Sequence, residues 1–94
     1  MTYSLRFHAL ALKEWAKLDS HTKGLFKKKL AERLENPHVP SARLHSMEHC
    51  YKIKLRSVGY RLVYQVDDGV VTVTVISVGK RDRLEVYLKA ASRM

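Results

Sequence analysis

Residues 50–80 read CYKIKLRSVGYRLVYQVDDGVVTVTVISVGK, and this stretch decides the fold. Apolar and polar residues alternate through Cys50–Arg56, the mark of a half-buried strand. Tyr51, Ile53 and Leu55 point one way, and Lys52, Lys54 and Arg56 the other. Val58-Gly59 supplies a turn, as a two-residue loop or inside a four-residue one, and Asp68-Gly69 supplies a second. Three strands therefore follow one another as a meander. In the first hairpin these turns set Arg56 opposite Arg61, Lys54 opposite Val63 and Lys52 opposite Gln65. In the second they set Val66 against Val71, Tyr64 against Val73, Leu62 against Val75 and Arg61 against Ile76.

These registers sort the meander into two faces. One carries Tyr51, Ile53, Leu55, Leu62, Tyr64, Val66, Val71, Val73 and Val75 and must be covered. The other carries Lys52, Lys54, Arg56, Arg61, Val63, Gln65, Thr72, Thr74, Ile76 and Val78, and is strongly basic on its first two strands. A slip of one residue would drive cations into the core, so the choice of face is firmly specified.

The flanking segments supply the cover. Tyr3–Phe7 alternates and predicts a short first strand. In Ala9–Leu18, Ala9, Leu12, Trp15 and Ala16 recur at helical spacing, with Trp15 in the core and Lys13, Glu14 and Lys17 on the wet side. Asp19 or Ser20 caps a second helix over Thr22–Asn36, whose stripe is Phe26, Leu30 and Leu34 with Ala31 beside it. Lys23, Lys27, Lys28, Lys29 and Arg33 cover its remaining surface, and Asn36-Pro37 stops it. Pro37–His49 reads as a loop with a short edge strand around Ala42–His45. After Gly79 comes a charged corner, Lys80-Arg81-Asp82-Arg83, and then a terminal helix over Leu84–Met94 with Leu84, Tyr87, Leu88 and Ala91 on one stripe. The expected architecture is a single α+β domain over residues 1–94, with two N-terminal helices packed on the sheet and a short C-terminal helix.

Composition narrows the function classes. The 94 residues carry 18 Lys and Arg against 9 Asp and Glu, a formal charge of +9 that favours polyanionic partners. No apolar run approaches the roughly 18–20 residues of a membrane span, and the N-terminus lacks the pattern of a secretory leader, so the expected compartment is the cytoplasm with no membrane partner. Cys50 is the single cysteine, which rules out an intramolecular disulfide and a multi-cysteine metal site. The five histidines, His8, His21, His38, His45 and His49, show no metal-ligand spacing, and neither metal nor cofactor is expected.

Like charges set opposite each other across two strands are a local cost of tenths of a kcal/mol. Their presence with no acidic neighbour on those strands points to a partner outside the chain, and phosphate is the natural one. Cleavage of RNA by its own 2′-hydroxyl needs a base, cations for the pentacoordinate phosphate and an acid for the leaving oxygen. Lysine serves as base only when neighbouring cations lower its pKa, and Lys54, between Lys52 and Arg56 and diagonal to Arg61, meets that condition. Two readings of Tyr87 stand, a core ring or a ring stacking on a base over the basic face. Two also stand for Lys27-Lys28-Lys29, a solubility device or a second contact to a large RNA.

ALKEW, KKKL, CYKIKLRSVGYRLVYQV and VISVGKRDRLEVY, spread over nearly the whole chain, closely resemble the RelE toxins of bacterial toxin–antitoxin modules. The resemblance implies two N-terminal helices on a mostly antiparallel sheet, as in small microbial ribonucleases. It implies an endoribonuclease that cuts mRNA in the ribosomal A site and leaves a 2′,3′-cyclic phosphate and a 5′-hydroxyl. By position, Lys52 and Lys54 would hold the backbone with Lys54 as base, Arg61 would stabilise the phosphate, Arg81 would assist the leaving oxygen, and Tyr87 would stack on or orient a nucleotide. Arg56, Lys80 and Arg83 would add RNA contacts. A RelB-like antitoxin that covers or displaces the C-terminal helix is implied as partner, and operator DNA is reached only through it. One departure stands out: His45 takes a position where familiar relatives have arginine, leaving Arg43 to substitute or His45 to make a pH-dependent contact.

Overall fold

The computed structural model describes residues 2–80 and 85–94. Its elements are β1 (Ser4–Phe7), α1 (Ala9–Ala16), α2 (Ser20–Glu35), a 3₁₀ turn (Pro40–Ala42), β2 (Cys50–Leu55), β3 (Tyr60–Asp67), β4 (Thr72–Lys80) and α3 (Glu85–Ser92). One sheet runs in the order β1-β4-β3-β2, antiparallel except for β1 alongside β4. The α+β class, the short first strand and the two helices against a meander all agree with the sequence reading.

The larger core lies between α1, α2 and one sheet face. Ala11, Leu18, Phe26 and Leu30 pack there against Tyr51, Ile53, Leu55, Leu62, Tyr64, Val66, Val73 and Val75. Every strand residue assigned to the covered face is present except Val71, which sits in the second turn with a positive φ of 50°. The helix stripes differ more. In α1 the buried position is Ala11, with Trp15 half-buried between Phe7 and Phe26 (ring centroids 5.3 and 6.0 Å), while Leu12 is exposed. Such a short, alanine-rich helix offers two nearly equivalent stripes, and the approach from β1 selects the other one. Asp19 caps α2 by accepting from the Thr22 N–H at 3.3 Å.

Both hairpins pair two residues away from the sequence registers. Lys54 faces Arg61, Lys52 faces Val63 and Cys50 faces Gln65. The closing pair is Leu55 with Tyr60, the Gly59 N–H returns to the Leu55 carbonyl at 2.9 Å, and Gly59 has φ 68°, a conformation glycine adopts without strain. In the second hairpin Val66 faces Val73 and Tyr64 faces Val75. There Asp67 Oδ1 accepts from the Gly69 and Val70 N–H groups (3.0 and 3.3 Å), which moves the turn toward the C-terminus. Because side chains alternate with period two, a shift of two leaves both faces intact.

A bulge between Val63 and Tyr64 then pairs Val63 with Ser77 and Leu62 with Val78. The extra residue sends Val78 into the helix-side core and turns Ser77 to the opposite face, contrary to the strict alternation expected for β4. That second face is not open throughout. Val86 and Ala90 of α3 cover Val63, Ile76, Cys50 and Met47 in a second, smaller core. The stripe of α3 is therefore Val86 and Ala90; Leu88 is 67 % exposed, and Leu84 lies outside the described residues.

Two residues expected on wet helix faces are structural instead. Glu14 meets Arg93 in an ion pair. Arg33 donates to the Lys52 carbonyl (3.2 Å) and the Tyr64 hydroxyl (2.9 Å), and that hydroxyl donates to the Pro37 carbonyl (2.8 Å). Tyr64→Phe leaves the Arg33 donor and the Pro37 acceptor each short of a partner. Urea unfolding should show a loss of about 1–3 kcal/mol, and an unchanged midpoint would contradict the role given to this network.

Candidate active site

The site is built on the uncovered end of the α3-side face. The antiparallel pairing places Lys54 directly opposite Arg61, with Lys52 two residues along on the same face. Arg56 lies in the turn rather than opposite Arg61, but it lines the same open cleft of about 280 Å³ with Lys54, Leu55, Tyr60 and Arg61. Among the described residues no carboxylate or histidine lines this cleft. The charge of Lys52, then that of Arg61, partial desolvation and the charge of Arg56 hold the Lys54 ammonium below the ordinary lysine range. The direct facing of Lys54 and Arg61 is a tighter arrangement than the diagonal one expected from sequence.

Tyr87 joins this cluster from the first turns of α3. Its ring centroid is 5.7 Å from the Arg61 guanidinium carbon, within cation–π range, and its hydroxyl is a long 3.4 Å from an Arg61 Nη. The ring is half-buried at the rim of the second core, so it both packs and projects over the basic face. Each of the two readings thus meets a part of the geometry: the ring packs on the second core and also contacts Arg61.

The other cations divide. Lys80 pairs with Tyr60 at the end of β4, on the register of the helix side. Arg43 makes an isolated bridge to Tyr51, while the next residue, Leu44, packs into the second core. This bridge is what remains of the edge strand expected at Ala42–His45. His45 is exposed in the following turn. Lys27, Lys28 and Lys29 are exposed on α2, across the sheet from Lys54. They form a separate patch. Arg81 and Arg83 lie outside the described residues.

Burial pushes the Cys50 thiol up to about 11 and keeps it protonated. Among the described residues no group of three or more His, Cys, Asp or Glu could hold a metal ion, and no helix is long and apolar enough to cross a membrane.

Sequence reasoning missed the supports of Tyr87. Ser77 Oγ donates to the Val86 carbonyl at 2.7 Å. Arg93 forms a two-pronged ion pair with Glu14 at 2.8 and 2.9 Å. Its 79-residue separation has no local signature. A bulge that turns the buried Ser77 toward α3 has none either.

Comparison with known proteins agrees with this fold. Residues 5–85 match the family described as ParE toxin of type II toxin-antitoxin system, parDE. The mRNA interferase toxin RelE of Escherichia coli (strain K12) is 57 % identical over 94 residues, covering 100 % of this chain and 99 % of the relative. The structure of an arginine double mutant of E. coli toxin RelE in the free state superposes with a TM-score of 0.93 at 55 % identity, over 100 % of this chain and 99 % of that one. The same toxin mutant in complex with an antitoxin RelBc peptide gives a TM-score of 0.84 at 55 % identity, with the same coverage. The chain belongs to the RelE/ParE family of toxins of type II toxin–antitoxin systems.

Proposed function

We propose that this toxin is an endoribonuclease that cuts mRNA in the ribosomal A site and so inhibits translation. The observation that carries the reading is the Lys54–Arg61 pair beside Lys52, three cations on one face with Tyr87 against Arg61. In the proposed step Lys54 takes the proton of the 2′-hydroxyl and the 2′-oxygen bonds to phosphorus. The bond to the 5′-oxygen then breaks and that oxygen takes a proton from Arg81 or from water, leaving a 2′,3′-cyclic phosphate and a 5′-hydroxyl. Lys52 and Arg61 neutralise charge on the pentacoordinate phosphate, and Arg81 assists the leaving oxygen. Tyr87 stacks on or orients a nucleotide. Arg56, Lys80, Arg83, Arg43 and His45 hold flanking RNA, and Lys27–Lys29 contact the ribosome from the other side of the molecule. No metal or cofactor enters this chemistry.

A relative's structure holds an antitoxin peptide. We extend that partnership to this chain: a RelB-like antitoxin neutralises it and, with it, represses their operon by binding operator DNA. The action is cytoplasmic. The absence of histidine and carboxylate from the described cleft favours one alternative, a non-catalytic inhibitor that blocks the ribosome by charge alone.

Substitution separates the two. Lys54→Met and Arg81→Met should each slow single-turnover cleavage of an A-site codon by about 10²-fold or more. Wild-type rates in both variants would remove the catalytic assignment, and stalled ribosomes carrying uncut message would establish the alternative.

The pH profile tests the base directly. Because neighbouring cations lower the pKa of Lys54, its neutral fraction, and with it the rate, should rise with pH and level off below the free-lysine value of about 10.4. Lys52→Gln removes the largest of those repulsions, so the rising limb should move to higher pH. A limb that stays in place would show that Lys54 is not the titrating base.

A further inference from the structure

α3 cannot hold its own conformation. It has 8 residues, fewer than the roughly 12–15 an isolated helix needs, so its placement depends on what anchors it. Its buried contacts are small: Val86 and Ala90 alone. Polar anchors supply the rest. At its start, Ser77 Oγ donates to the Val86 carbonyl. Just past its end, Arg93 Nη1 and Nη2 reach Glu14 Oε1 and Oε2, and Nη1 also donates to the Ile76 carbonyl at 2.9 Å.

Glu14 is itself fixed from several sides. Its Oε1 accepts from the Val78 N–H at 3.1 Å, and Lys89 Nζ lies 3.5 Å from Oε2. The reason lies in the sheet edge. β1 ends at Phe7 opposite Val75, so beyond it β4 keeps β3 on one side but has no strand on the β1 side, and the carboxylate takes a backbone N–H that a longer β1 could have covered. The side chains of Arg93 and Glu14 are only 10 % and 19 % exposed, so the pair is well shielded from solvent. Between these two anchors stands Tyr87.

We infer that the Glu14–Arg93 pair is a positioning device for the active site, setting the rotation of α3 that presents Tyr87 to Arg61 without touching RNA itself. The inference rests on the nuclease reading of the basic cluster. Turning α3 by one residue, about 100°, would expose Val86 and Ala90 and carry the phenol away from Arg61. Ser77 fixes one point near the start, while at the far end Ala90 packs in the second core and Met94 Sδ lies 3.4 Å from Cys50 Sγ, contacts with little directionality. Glu14 and Arg93 fix the second point.

The test uses Glu14→Gln and Arg93→Met in the full chain. At saturating toxin the single-turnover rate on programmed ribosomes should fall about tenfold, while the toxin concentration giving half the maximal rate stays within about twofold. In a Tyr87→Ala background, Arg93→Met should cost less than about twofold further. A wild-type rate, or the same tenfold loss without the Tyr87 ring, would overturn the inference. A second measurement needs no RNA and keeps the two readings separable. In protein labelled with 3-fluorotyrosine, the ¹⁹F signal absent from Tyr87→Phe identifies Tyr87. That signal should shift in Arg93→Met while those of Tyr51 and Tyr64 stay in place. An unmoved Tyr87 signal overturns the inference whatever the nuclease result. Wild-type protein that leaves ribosome-bound message intact overturns the nuclease reading alone.

Discussion

Lys54 and Arg61 stand opposite each other on adjacent strands, and the fold holds them there against their own repulsion. That repulsion costs some tenths of a kcal/mol. The same two strands bury Tyr51, Ile53, Leu62 and Tyr64 on the reverse face. Each such side chain contributes about 1.5–3 kcal/mol when fully removed from water. The apolar face therefore outweighs the charged one severalfold and dictates which residues share the other face. The concentrated charge follows as a consequence. It also accounts for the lowered pKa of Lys54, since the cations that repel it are those the register brings close.

The sheet has two unequal sides, and the basic cluster lies where the cover on the smaller one stops. α3 covers Val63 and Ile76 but leaves Lys52, Lys54 and Arg61 uncovered, with Tyr87 at the boundary. The bulge at Val63/Tyr64 makes this possible. It returns Val78 to the large core and frees Ser77 to hold the start of α3. One irregularity in a ladder thus connects the packing of the sheet to the placement of the Tyr87 ring.

Much of this was legible in the chain itself. The two faces of the meander follow from side-chain alternation, and an error of two residues in register does not disturb them. The registers themselves depend on how far each turn reaches. That distance is set by the Gly59 conformation and by the Asp67 carboxylate, neither of which the dipeptides Val58-Gly59 and Asp68-Gly69 encode. The stripes of α1 and α3 were misread because two turns of helix leave more than one plausible apolar face. Tyr87 illustrates the consequence: once Val86 and Ala90 take the core, its ring falls naturally at the edge. The Glu14–Arg93 pair joins the first helix to the chain's end and leaves no periodic trace.

The central claim is that this basic floor becomes a nuclease only when the ribosome positions a codon over it, since its acid–base groups are weak ones. The most direct measurement compares one message, naked and ribosome-bound, by primer extension and end-group analysis after exposure to the purified toxin. The account predicts a cut within the A-site codon of the bound message, ending in a 2′,3′-cyclic phosphate, with the naked message left largely intact. Equal cutting of both forms, or arrested ribosomes whose message is whole, would contradict it.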